Sequence, residues 1–343
     1  MTQNNNKEMQ QAYSLAGSFA LALRLVVGWT YFSAFWRRLI LENKLNPEEA
    51  GYIGEKFNHF LPNALGIKPM IEYLVSNPES LWWAMAAFTI IEGIVGLLIM
   101  LGIFTRLMSV GVLALATGIL LGSGWLGTTC LDEWQIGILG MATGFTLLLT
   151  GGGKYSLDNY LLKKHKISNT KWFPWVASGI LPIREKLLNK VIMGGSAIIL
   201  FMTLFTNQYF HNGVWGPLHN KSVKPIVEIS DASLNNKGLT FTVFRTEGAD
   251  VYGSFLIGIT LKDVNGNIIL NKEGKELSQF PTVDIENRYV AKVKPGKHSL
   301  IIPLGSKAQL AIKNENIQNL SKGEYNLILT DISGITWTKT IVF

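Results

Sequence analysis

Apolar residues come in long unbroken runs up to about residue 207, and in short, often alternating runs after it. The long runs cover about 14–35, 81–104, 107–121, 134–150 and 191–206, the last three being the shortest. Each is near the ~20 residues that cross a bilayer core, so about five transmembrane helices are expected in a membrane domain spanning 1–207. The first run is too long for a signal-peptide core and no small-residue cleavage site follows it, which makes it a retained helix. Between the first two runs, "YIGEKFNHFLPNALGIKPMIEYL" reads as short amphipathic helices lying on the membrane surface.

From 208 to 343 the period changes. "KPIVEISDASL", "LTFTVFRTE", "SFLIGITLKD", "NIILNKE", "HSLIIPL", "EYNLILTD" and "ITWTKTIVF" are rich in Val, Ile, Thr and aromatics, and "NNKG", "VNGN", "KPGK" and "SKGE" separate several of them. About seven such strands predict an all-β sandwich of immunoglobulin type. The fold class is thus an α-helical integral membrane domain followed by a C-terminal immunoglobulin-like sandwich.

Charge orients this arrangement. The 151–190 connection carries Lys154, Lys163, Lys164, Lys166, Lys171, Arg184 and Lys186, and so belongs in the cytoplasm. Counting from it, the N-terminus is cytoplasmic, and the 123–133 turn, which lacks Lys and Arg, is outside. The 37–80 segment and everything after the fifth helix are also outside. The expected location is the bacterial cytoplasmic (inner) membrane, multi-pass, with a periplasmic C-terminal domain. The net charge of +7 serves this orientation rather than nucleic acid.

Composition narrows the chemistry. The single cysteine excludes an intrachain disulfide, and five scattered histidines show neither zinc nor haem spacing, so no metal or haem is expected. "TGGGKYS" imitates a phosphate loop, but Leu148 stands where glycine is required and Tyr155 where Ser or Thr would hold magnesium.

Several residues are out of place. Arg24 and Glu92 fall about ten residues into adjacent runs from opposite ends, hence at similar depths of about 15 Å. Charges there face the protein interior and pair, so an Arg24–Glu92 pair is expected, either structural or proton-handling. In "SGWLGTTCLDEWQIG", Cys130 lies beside Asp132 and Glu133, with Trp125 and Trp134 flanking. Thr129 to Asp132 fits a capping pattern, which puts Cys130 at a helix start that favours a thiolate, while the two carboxylates oppose it. An inert buried thiol and interfacial belt tryptophans are the bland alternatives. Arg37 and Arg38 suit either an oxyanion or lipid headgroups. His59 reads as a solvated residue.

Together these residues resemble the DoxD and DoxA subunits of thiosulfate:quinone oxidoreductase, joined in one chain. Arg24, "IIEGIVGLLIMLGIFTRL", "GTTCLDEWQIG" and "GGGKYSLDNYL" carry the resemblance to DoxD, of the DoxX-like family, and "GVWGPLHNKSVKP" with the strands that follow carries that to DoxA. The resemblance implies oxidation of thiosulfate to tetrathionate at the outer face, with electrons passing to the membrane quinone pool. It implies a membrane quinone, of menaquinone or ubiquinone type, as electron acceptor; the sequence shows no flavin or nucleotide fingerprint and no cluster of metal ligands, so quinone is the only cofactor expected, with no haem, flavin or metal. The catalytic candidates are then Cys130, Asp132 and Glu133. Arg24, Glu92, Trp125 and Trp134 would handle quinone or protons, and Arg37 and Arg38 would bind thiosulfate or a related sulfur anion. The remaining partners are the lipid bilayer and a second copy in a homo-oligomer, with no nucleic acid. A non-enzymatic DoxX-like partner or assembly protein, and a sulfur-oxyanion transporter, are the competing readings.

Overall fold

A computed structural model of the chain describes all residues except 1, 50, 128–131, 165–169, 236–237, 251–253, 315–316 and 318–319. The chain divides into two compact units, one built from Met1–Ala50, Trp83–Gly124 and Leu131–His219, the other from Gly51–Trp82, Trp125–Cys130 and Asn220–Phe343.

The first unit is helical. Helix α1 (Thr2–Phe19) breaks at Ala20 and resumes as α2 (Leu21–Phe35), which runs into a π-helical turn at Trp36–Leu41. The two arms of this run, Lys7–Phe19 and Leu21–Leu41, are bent by 50°. The bend lies where Gly17 is pressed by another strand of backbone: a Cβ there would sit 2.4 Å from the Gly153 nitrogen. In chain order the next two elements, α3 (Ile53–Phe60) and α4 (Lys68–Ser76), belong to the second unit. They precede α5 (Pro78–Leu101), α6 (Thr105–Ser123) and α7 (Asp132–Thr150). Short α8 (Leu157–Lys164) and α9 (Phe173–Val176) lead to α10 (Glu185–His211).

Close packing in this unit rests on missing side chains. Gly137, Gly140 and Gly144 form a stripe on α7, and added Cβ atoms there would lie 2.8–2.9 Å from Leu120, Ala116 and Leu113 of α6. Such small-residue stripes let apolar helices approach without a water-driven force.

Among the described residues, α5, α6 and α10 are long and apolar enough to cross a membrane, and the bent α1–α2 run makes a fourth if it counts as one span. The expected count of about five is therefore not reached among the described residues. The 134–150 run does form α7, but Asp132, Glu133 and Gln135 at its start dilute its apolar character.

The second unit holds the β structure. Its strands are β1 (Ile226–Asn235), β2 (Gly238–Glu247), β3 (Ser254–Asp263), β4 (Ile268–Glu273) and β5 (Ile285–Asn287). They continue as β6 (Lys294–Pro295), β7 (Leu300–Ile302), β8 (Lys307–Ile312), β9 (Glu324–Asp331) and β10 (Thr336–Val342). One antiparallel sheet has the order β1-β2-β8-β5, the other β10-β9-β3-β7-β6 with β4 also on β3. Inward residues of both, such as Phe241, Val243, Leu256, Ile259, Leu310 and Leu327, share one core. A single helical turn, α11 (Gly274–Leu277), starts with a capping box formed by Glu273 and Glu276 and adds Leu277 to this core.

Ten strands among the described residues exceed the expected seven because β5 and β6 are two- or three-residue pieces and β8, "KAQLAI", alternates weakly in sequence. In the structure β8 nevertheless buries Ala308, Leu310 and Ile312.

Helices α3 and α4 are amphipathic as expected, but protein rather than lipid covers their apolar faces. Phe57 and Phe60 of α3, Leu61 and Ala64 just after it, and Ile71 and Val75 of α4 pack with Tyr289, Phe244 and Val290 of the second unit. Asn58, fully buried, donates from Nδ2 to the Gly305 carbonyl at 2.6 Å, and its Oδ1 accepts from the Ala291 nitrogen at 3.3 Å. An apolar stripe on a helix does not itself reveal which surface will bury it.

Candidate functional site

The site begins with a backbone-to-backbone approach between α2 and α5. A Cβ on Gly96 would lie 2.4 Å from the Phe32 nitrogen and 2.6 Å from the Gly28 carbonyl oxygen, and one on Gly93 would strike the Phe35 ring at 2.7 Å. Three positions along α2 and its extension, Arg24, Tyr31 and Arg38, are spaced by seven residues and so share one helical stripe.

At the far end of that stripe the Arg38 guanidinium is ion-paired and hydrogen-bonded to the Glu92 carboxylate. The two differ sharply in access to solvent. The Arg38 side chain is 24% exposed, that of Glu92 3%. Arg38 and Arg37 stand on the π-helical turn, a local widening found disproportionately at functional sites. Arg37 is exposed and donates from Nε to the Ser33 carbonyl at 3.2 Å.

Two further polar side chains belong to the carboxylate's surroundings. Thr89, one turn before Glu92 and 1% exposed, has a buried hydroxyl with no hydrogen-bond partner among the described residues. Tyr31, 3% exposed, is a charge neighbour of Glu92. An orphaned buried hydroxyl is costly by about 1–3 kcal/mol and suits a site that receives a ligand with a hydrogen-bonding oxygen.

The expected Arg24–Glu92 pair does not form. Arg24 donates to the carbonyls of Gly152 and Tyr155, the latter at 2.5 Å, and its Nη1 lies 2.9 Å from the Cβ position of Gly102. Gly102 is ten residues beyond Glu92, about 15 Å along a helix axis. The bend at Ala20 is the reason: Arg24 is four residues into α2, not ten residues into a straight span.

Arg24 instead belongs to a buried latch around the glycine-rich segment after α7. Asp158, fully buried, caps the start of α6 by accepting from the Phe104 and Thr105 nitrogens at 2.8 and 3.0 Å and from the Thr105 hydroxyl at 2.7 Å. Ser178 adds a fourth donor at 2.7 Å. Arg106 closes the end of α7, donating to the Leu148 carbonyl at 3.0 Å, the Gly179 carbonyl at 2.6 Å and the Pro174 carbonyl. These groups satisfy helix termini that have no partner within their own helix.

The remaining candidates separate. Trp125 is wholly buried in the second unit, its indole donating to the Phe60 carbonyl at 3.2 Å, so it is neither a belt residue nor a free donor. Trp134, in the first unit, donates to the Thr206 hydroxyl at 2.9 Å. Asp132 opens α7 and Glu133 follows in its first turn. Cys130, with its expected capping pattern, lies outside the described residues.

His59 is not the solvated residue expected. Its Nδ1 is buried without a hydrogen-bond partner among the described residues, and burial pulls its pKa down to about 4, with Asp250 opposing and Arg245 and Lys56 adding to the shift. Arg245 is itself buried, donating to the carbonyls of Ala249 at 2.8 Å and Glu247 at 3.2 Å, and burial lowers it to about 10. Sequence reasoning missed Thr89, Tyr31, Asp158 and Arg106. The seven-residue spacing of Arg24, Tyr31 and Arg38 was the one signal that could have linked Arg38 to this stripe.

Residues 19–184 match the family described as TQO small subunit DoxD, and residues 210–340 match TQO small subunit DoxA. No solved structure matches the chain. One polypeptide therefore joins both TQO small-subunit families, DoxD followed by DoxA, as a fused DoxDA-type chain of thiosulfate:quinone oxidoreductase.

Proposed function

We propose that the chain is a membrane oxidoreductase that oxidises thiosulfate to tetrathionate at the outer face and delivers the electrons to membrane quinone. The observation that carries this reading is the presence of both TQO small-subunit families in a single chain. The partly exposed Arg38 on a buried Glu92 supports it chemically, since it offers an anion-binding cation tied to a group that can take a proton. The lysine-rich 151–190 segment supports an N-terminus in the cytoplasm of a bacterial inner membrane, with the β unit in the periplasm.

In this reading Arg37 and Arg38 attract the thiosulfate dianion by charge-assisted hydrogen bonds. The Cys130 thiolate bonds to the outer sulfur of a first thiosulfate, and an electron pair is released. A second thiosulfate attacks that same sulfur, the Cys130–sulfur bond breaks, and tetrathionate leaves with the thiolate regenerated. Asp132 and Glu133 order this outer site and exchange its protons. Thr89, with its unpartnered hydroxyl, and the phenol of Tyr31 are donors for which a quinone carbonyl is a fitting acceptor, and Glu92 holds the proton beside them. Bound quinone supplies the acceptor for the electron pair and for two protons. Arg24 acts from a distance, by holding the Gly152 and Tyr155 carbonyls.

The test is purified full-length protein in detergent with thiosulfate and a water-soluble quinone, both products being measured. Equal amounts of quinol and tetrathionate are expected. Formation of neither, with the fold intact by circular dichroism, would contradict the reading and favour a partner or transport role.

A further inference from the structure

Arg38 has two suitors. In the structure its guanidinium is taken by the Glu92 carboxylate, yet about a quarter of its side chain remains open to solvent, beside the exposed Arg37. Glu92 has no such access. Among the described residues, the charged or titratable groups that bear on Glu92 are Arg38 and Arg37 from the π-helical turn and Tyr31 from α2. On α6 the one charged residue, Arg106, is held by carbonyls at the end of α7 and beyond. On α7, Asp132 and Glu133 stand in the first turn, and Glu133 is not among the groups that act on Glu92. No second described cation is buried with the carboxylate to replace Arg38.

We propose that Arg38 is exchanged between Glu92 and the incoming sulfur anion, so that anion binding is coupled to uptake of a proton by Glu92. This rests on the reading of Arg37 and Arg38 as the anion site. The physical argument is short. A dianion at Arg38 draws the guanidinium outward and leaves a buried carboxylate without its cation. An unpaired buried charge is expensive, and a carboxylate removes the expense by protonating. The linkage is reciprocal: a proton on Glu92 frees Arg38 and strengthens anion binding by the same factor. Anion arrival at the outer rim thereby loads a proton next to Thr89 and Tyr31, where quinone reduction consumes protons.

The test is calorimetric titration of the purified full chain with thiosulfate, without quinone, in buffers of different ionisation enthalpy. Wild type is expected to take up close to one proton per thiosulfate bound, and its affinity to fall as pH rises. Glu92→Gln, which keeps the side chain's shape and removes its charge, is expected to bind thiosulfate on the order of tenfold more tightly, with no proton uptake. Binding by wild type with no proton uptake, or equal affinity and proton count in both proteins, would overturn the exchange and leave the anion site standing. Absence of thiosulfate binding by folded wild type would overturn the anion site and the exchange together.

Discussion

The buried carboxylate of Glu92 is ion-paired with Arg38, which stands on the π-helical turn that extends α2. Their meeting depends on how closely α2 and α5 can approach, and that is set by glycine. Gly28 and Gly96 bring the two backbones into contact, one turn away from Glu92 on the α5 side.

Gly96→Ala should therefore damage the site without touching a polar group. The new methyl would meet two backbone atoms, the Phe32 nitrogen and the Gly28 oxygen, neither of which can swing aside. Overpacking of this kind costs about 1–3 kcal/mol. A lowered melting temperature and a loss of thiosulfate-dependent turnover are expected together. Gly118→Ala, where a Cβ meets nothing within 4 Å, is the matched control and should change neither.

Arg24 makes a different prediction. It is almost fully buried and its hydrogen bonds go to backbone carbonyls of the 152–155 segment. Arg24→Met removes charge-assisted bonds and leaves both carbonyls unpaired, a loss of about 3–5 kcal/mol. Thermal unfolding in detergent should show that loss, with Arg24→Lys recovering part of it. The fraction of molecules that remains folded should still take up a proton on binding thiosulfate, since the Arg38–Glu92 pair is intact.

His59 gives the β-containing unit a pH dependence of definite sign. Folded protein keeps this imidazole neutral down to about pH 4, while the unfolded chain protonates near the ordinary value of 6.5. Between those values the unfolded state holds more protons, so stability rises with pH. The stability is complete above 6.5 and is lost as pH falls towards 4. Unfolding followed from pH 7 to 4.5 should show a smaller decline in His59→Gln than in wild type, by on the order of 2 kcal/mol at the acid end. Parallel curves for the two proteins would show that the imidazole is not held neutral.

The sequence made the division of labour legible and left the contacts hidden. Long apolar runs marked α5, α6 and α10, and alternating Val, Ile and Thr marked β1 to β4, because both patterns follow directly from which face is buried. The break at Ala20 carried no such mark: neither proline nor glycine occupies it, and its setting includes a contact between Gly17 and Gly153, residues 136 positions apart. Without that bend, Arg24 reads as Glu92's partner at equal depth. Once α1 and α2 part company, Arg24 meets Gly152 and Tyr155, and Glu92 is left to Arg38. Asp158 and Arg106 escaped for a related reason, since capping another helix's end is a tertiary event with no local period. The apolar stripes of α3 and α4 were visible, but not that Tyr289 and Phe244 would cover them.

The most direct test of the central claim is thiosulfate-dependent reduction of a soluble quinone by purified protein, wild type beside Cys130→Ala. The account predicts turnover in wild type that falls to background in the variant, while the variant still binds thiosulfate through Arg37 and Arg38. Full activity in Cys130→Ala would contradict it, because no other residue of the chain supplies a thiol to carry the sulfur.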